Sequence, residues 1–236
     1  MSTVPGMGSM VDFPSNGTTG SGWFSPSATG TGPGILVIQE WWGLVDHIKD
    51  VCDRFAAAGF SALAPDLYRG DAVGNSEPDE AGKLMMALNL DQAAKDLRGA
   101  IAFLKASDAV TSSRVGVIGF CMGGGLALTV ACNEADDVAA CAPFYGLIPW
   151  DGAQPDWDRL QAPVRGHYAE GDDFFGPAAA RALEEELRSR GKDVELRVHP
   201  GVGHAFFNDT RPEAHDAGAA AAAWEATLAF FRDTVR

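Results

Sequence analysis

Val115-Gly116-Val117-Ile118-Gly119-Phe120-Cys121-Met122-Gly123-Gly124-Gly125 carries the pattern that decides the architecture of this 236-residue chain. Residues 115–119 form a short apolar run of the kind seen in strands covered on both faces, and residues 126–132 read as a helix. Between them, Gly119-Phe120-Cys121-Met122-Gly123 fits G-x-C-x-G. This is a strand that turns sharply into a helix around a central side chain, with glycines where larger residues would collide. On such a turn the Cys121 thiol projects beyond the carboxyl end of the sheet, and the free amides of the helix start favour a thiolate and, later, an oxyanion. Cys121 is therefore a candidate nucleophile; the competing reading is a core cysteine beside a glycine-rich helix start. Cys52, Cys132 and Cys141 lack this context and read as core. With no CxxC pair in the chain, the cysteines match reduced thiols in a cytoplasm.

Outward from that stretch, strand patterns at 35–39, 60–64, 138–144, 164–169 and 194–199 alternate with helix patterns at 46–58, 82–105, 177–190 and 212–236. Ahead of them, the apolar clusters 10–13 and 22–24 flank Pro14-Ser15-Asn16-Gly17 and read as a hairpin. The succession predicts an α/β fold, a mainly parallel sheet of about eight strands with helices on both faces. Residues 1–9 read as a flexible leader and 10–236 as a single domain. At this length a single α/β domain buries roughly 70 to 75% of the surface its unfolded chain exposes, so neither disulfide nor structural metal is needed.

Lys and Arg number 18 against 32 Asp and Glu, a formal charge of -14. Such a surface repels phosphate backbones and anionic membranes, which argues against nucleic acid and lipid as partners. No apolar run approaches the roughly 20 residues of a membrane span, and the N-terminus lacks the basic and apolar regions of a signal peptide. The expectation is a cytoplasmic protein acting on a small molecule, as a monomer or a homodimer.

A nucleophile on this turn needs a base, and along the chain the order is nucleophile, acid, histidine. His204, in Pro200-Gly201-Val202-Gly203-His204-Ala205-Phe206, lies in a Gly-rich loop after the last strand pattern. His47, His167, His199 and His215 fall in strand or helix patterns and read as packing or surface residues. The acid belongs in the turn Glu170-Gly171-Asp172-Asp173, where Asp172 is favoured and Asp173 is the alternative; its role would be to hold the His204 tautomer. Glu40 ends the first parallel strand, just before Trp41-Trp42-Gly43, in the loop where this architecture places a second oxyanion amide. It reads either as a residue touching the site or as a solvated strand-end carboxylate. The histidines are too scattered for a zinc site, and no cofactor is implied.

Gln39-Glu40-Trp41-Trp42-Gly43, Pro65-Asp66-Leu67-Tyr68, Gly119-Phe120-Cys121-Met122-Gly123-Gly124 and the His204 loop together resemble the dienelactone hydrolase (carboxymethylenebutenolidase) family of α/β hydrolases, from about Val11 to the C-terminus. The resemblance implies a triad of Cys121, His204 and Asp172. It implies that Glu40 contacts the resting thiol and takes its proton when substrate binds, and that the Trp41 and Met122 amides form the oxyanion hole. A pocket lined by Trp42, Tyr145, Phe174, Phe206 and Asn208 is expected beside them. Members that cleave dienelactone hold the substrate carboxylate with two arginines. One of them falls where this chain has Asn208, and near the other position only Arg69 and Lys83 offer a cation. The expected activity is hydrolysis of small esters or lactones through a cysteine acyl-enzyme. The alternatives are a thioesterase or general carboxylesterase on the same triad, or a non-catalytic binding homologue.

Overall fold

The computed structural model describes residues 8–146, 148–150 and 153–236. Most of the leader expected at 1–9 lies outside these residues. Gly8 and Ser9, its last two, do not behave as a leader: the Gly8 amide donates to Asp53, and Ser9 opens a strand paired with Phe24.

The chain supplies eight strands and six helices among the described residues, and it divides into two compact units. The first unit runs to Gly116 and takes in Val235 and Arg236. In it, β1 (Ser9–Ser15) and β2 (Thr18–Ser25) form the hairpin, turning at Asn16 and Gly17, both with positive φ as a tight two-residue turn requires. β2 pairs antiparallel with β4 (Ser61–Pro65), which pairs parallel with β3 (Gly34–Ile38). Every residue of β3 and β4 is buried, so both faces of these strands are covered. The helices of this unit are α1 (Asp46–Ala57), α2 (Pro78–Ala87) and α3 (Leu90–Ala106). The single long helix expected at 82–105 is therefore two. The apolar period runs on unbroken through Leu88-Asn89-Leu90, but the Asn89 side chain accepts the Gln92 amide at 3.0 Å and starts a new helix there. α3 is tied to the hairpin by Asp96, which is almost fully buried and accepts from Ser15, Gln92 and Arg69.

The second unit spans Val117–Thr234. β5 (Val115–Phe120) leads into it, followed by α4 (Met122–Asn133), β6 (Val138–Phe144), β7 (Val164–Gly171), α5 (Pro177–Ser189), β8 (Val194–Gly203) and α6 (Ala217–Thr234). β6, β7 and β8 are successive parallel neighbours. Several boundaries differ from the sequence reading. α4 begins at Met122, with the three glycines inside the helix, and at Gly124 a side chain would meet the Phe144 carbonyl at 2.8 Å. α6 begins at Ala217, so His215 precedes it; the chain there is tied by a bond between His215 Nδ1 and the Phe206 carbonyl. β7 and β8 run on past Ala169 and His199, through an irregularity, to a final pairing of Gly171 with Gly203.

Within this unit, His167 on β7 and His199 on β8 are both buried and share a hydrogen bond of 3.0 Å between Nδ1 and Nε2, with Thr227 Oγ1 at 3.3 Å from His167 Nε2. Burial above all, helped by His199 and Arg197, pushes His167 down to about 3; burial and Arg197 lower His199 as well. His167 stays neutral in the folded state where the unfolded chain would protonate, so the unfolded state binds more protons and stability falls as pH drops below about 6.5, and the lowering of His199 acts in the same direction. From His167 alone the loss should reach about 2 kcal/mol between pH 6.5 and 5. Urea midpoints across that range check this: wild type should slope downward and His167→Gln should be flatter, whereas parallel slopes would refute it.

Candidate active site

β5 runs directly into Cys121, whose backbone is held at φ 55° and ψ -123°. A residue with a Cβ adopts this conformation only when its surroundings enforce it. Here the Cys121 amide donates to the Phe144 carbonyl at the end of β6 (3.1 Å), and its carbonyl accepts from Gly124 (2.9 Å), opening α4. Any side chain at Gly119 would overlap the Gly123 carbonyl, so the first glycine of the motif is required by backbone contact within the turn. Cys121 is 8% exposed, while Cys52, Cys132 and Cys141 are fully buried. Burial pushes the thiols of Cys52 and Cys141 well up and that of Cys132 to about 12, which makes those three neutral, unreactive core groups.

Asp172 and His204 immediately follow Gly171 and Gly203, the last paired residues of β7 and β8. The register therefore sets the two side chains beside each other, with His204 Nδ1 and Asp172 Oδ2 at 2.7 Å. The other oxygen, Oδ1, accepts the amides of Phe174 (2.8 Å) and Phe175 (3.0 Å), which fixes the carboxylate in place. Burial alone would raise the Asp172 carboxyl, but its bond to His204 and these two amides overcome that and hold it below its usual range. For His204, burial disfavours the imidazolium, yet its bonds to Asp172 and to Cys121 prevail and lift it to about 10. The ring is thus bonded to the Asp172 carboxylate through Nδ1, and the Cys121 thiol adds to the lift. Asp173, the other carboxylate of the turn, is exposed.

Aromatic rings surround the imidazole. Tyr145, fully buried and at φ 37°, lies 5.0 Å from it, and Phe174, 73% exposed, lies 5.6 Å from it. Phe206 is buried against Tyr145 and His199. Sequence reasoning did not single out Phe175, which is 5.8 Å from His204 and gives its amide to Asp172. Its signal was present, since an Asp commonly caps amides two and three residues onward. Asn208 is fully buried, and its Oδ1 accepts from the Thr210 amide and hydroxyl, so its side chain caps a turn of its own loop. Met122 is buried at the first position of α4, where the amides have no helical acceptor.

In the first unit, Glu40 is 1% exposed at the end of β3, and Trp42 is buried edge-on to Trp41 at 5.0 Å. Gln39 Oε1 accepts the Leu67 amide, so the Gln39 side chain joins two of the recognisable motifs, and Asp66 accepts the amides of Tyr68 and Gly70 within its own loop. Arg69 is paired with buried Asp96 (2.8 Å), and exposed Lys83 with Glu80 (2.6 Å). Among the described residues no group of three or more His, Cys, Asp or Glu is placed to hold a metal ion, and no helix is long and apolar enough to cross a membrane.

A cysteine on a strained strand-to-helix turn, in a chain of parallel strands and covering helices, defines an enzyme of the α/β-hydrolase class. The chain belongs to the dienelactone hydrolase family, whose pattern matches residues 22–235. It is 38% identical to "Protein usf" of Aquifex pyrophilus, over 96% of this chain and 99% of that one. It is 35% identical to a protein of Aquifex aeolicus named "Putative carboxymethylenebutenolidase", over 96% and 98%. Among solved structures, a dienelactone hydrolase-like promiscuous phosphotriesterase, P91, from metagenomic libraries superposes with a TM-score of 0.83 at 26% identity, covering 97% of this chain and 98% of that one.

Proposed function

We propose that this hydrolase opens small, uncharged esters or lactones through a thioester on Cys121. The observation that carries the reading is the strained Cys121 turn at the head of α4 together with the 2.7 Å pair of His204 and buried Asp172. In this mechanism the Cys121 sulfur attacks the carbonyl carbon, and the resulting oxyanion is held by the Met122 amide at the helix start. Collapse forms the thioester while His204 gives its proton to the departing alkoxide. His204 then takes a proton from water as the hydroxide adds to the thioester, and the acid leaves with Cys121 restored. Asp172 keeps the imidazole in the required tautomer and balances its charge. The family resemblance gives the Trp41 amide a share in the oxyanion hole and Glu40 the resting thiol's proton, and these roles belong to the same proposal. A steady-state screen of aryl esters, unsaturated lactones and thioesters, run with wild type and Cys121→Ala in parallel, tests it. Turnover that survives in the variant would overturn it.

The preference for uncharged substrates follows from where the cations are committed. Arg69 and Lys83 already have carboxylate partners, and Asn208 caps its own loop. A carboxylate-bearing lactone should therefore show no higher kcat/KM than a neutral ester of similar size, with little change between low and high salt. A strong preference for the anion that disappears in Arg69→Ala would contradict this.

A further inference from the structure

The turn that follows β6 lies directly against the backbone of Cys121. Phe144 accepts the Cys121 amide, Tyr145 has φ 37°, and Gly146 is so close that a methyl group there would overlap the Cys121 carbonyl and stand 2.7 Å from the Gly124 Cα. Backbone meets backbone with no side chain between, so any shift of this turn is passed to the nucleophile. β7 ties the turn down twice. The Tyr145 amide donates to the His167 carbonyl at 2.7 Å, and the Tyr168 hydroxyl donates to the Gly146 carbonyl at 2.8 Å. Tyr168 is fully buried, and burial raises its phenol far above the usual value, so the hydroxyl remains a donor. A hydroxyl at a buried strand position is costly unless it is bonded, and phenylalanine would fill the same space without that cost.

We infer that Tyr168 is a positioning residue for the reaction: its hydroxyl pins the Gly146 carbonyl and so holds the Tyr145–Gly146 turn that supports Cys121 from behind and sets the Tyr145 ring 5.0 Å from His204. This rests on the reading of Cys121 as the nucleophile. Tyr168 touches neither Cys121 nor substrate in this scheme; it acts through Gly146.

Tyr168→Phe keeps the ring and deletes only the hydrogen bond. With an aryl ester, kcat should fall about tenfold, the worth of one well-placed bond, while KM stays within about twofold. Alkylation of Cys121 by iodoacetamide at pH 7 should slow several-fold as the thiol leaves its bond with His204. Ser112→Ala, which removes a buried hydrogen bond to the Gly34 amide in the first unit, serves as the control for lost stability and should retain wild-type kcat. Iodoacetamide stoichiometry and circular dichroism give the folded fraction of each variant. Wild-type kcat and alkylation rate in Tyr168→Phe, whatever its melting temperature, would overturn the inference, as would losses that match its unfolded fraction or an equal kcat loss in Ser112→Ala. If wild type turns over no ester, the catalytic reading fails, and the alkylation rates alone decide whether Tyr168 positions the thiol.

Discussion

Cys121→Ala should reduce ester turnover by roughly 10⁴-fold or more, the scale on which removal of a covalent nucleophile is felt. The substitution should leave the fold intact, because the φ of 55° is imposed by the Phe144 and Gly124 hydrogen bonds, which use only backbone atoms. The same residue should account for chemical inactivation. Cys121 alone among the four cysteines has measurable exposure, and burial keeps the other three thiols neutral. One equivalent of iodoacetamide should therefore abolish activity, with the label mapping to Cys121. Equal inactivation with the label on Cys52, Cys132 or Cys141 would remove Cys121 from its proposed role.

Asp172→Asn should lower kcat by about 10² to 10⁴-fold, the upper figure being that known for the equivalent change in a serine protease. An amide at this position can still accept the Phe174 and Phe175 amides through its oxygen, so the loop should keep its shape. Its NH₂ group would then face His204 Nδ1 and demand the wrong tautomer. Asp172 also helps lift His204 to about 10, so the variant's imidazole should lose its proton at lower pH. A pH titration of the His204 ring by NMR would show the shift. Asp173→Asn, at an exposed position, should behave as wild type. The reverse result, with Asp173→Asn damaging and Asp172→Asn silent, would move the acid one residue along the turn.

Local chemistry was legible wherever one short segment determines its own conformation. The hairpin turn at Asn16-Gly17 could be read from residues that tolerate positive φ, and β6 from its apolar run. The strand-to-helix turn at Cys121 could be read from glycines whose side-chain space is taken by backbone. The break at Asn89 was missed because hydrophobic periodicity passes through it and a single cap bond overrides that periodicity.

What the sequence determined by itself was the order of strands and helices apart from the split between α2 and α3, the mainly parallel α/β architecture and the short list of candidate groups, since periodicity, caps and turn residues act over a few positions. Tertiary structure alone decided which of those groups meet. The carboxylate beside His204 is Asp172 because β7 and β8 continue past their apolar stretches and pair at Gly171 and Gly203. That register depends on hydrogen bonds between residues 32 apart in the chain, and a one-residue slip would turn either side chain to the opposite face. The bracing of Cys121 by Gly146 and Tyr168, and the capture of Arg69 by Asp96, likewise join segments whose separate sequences carry no mark of each other.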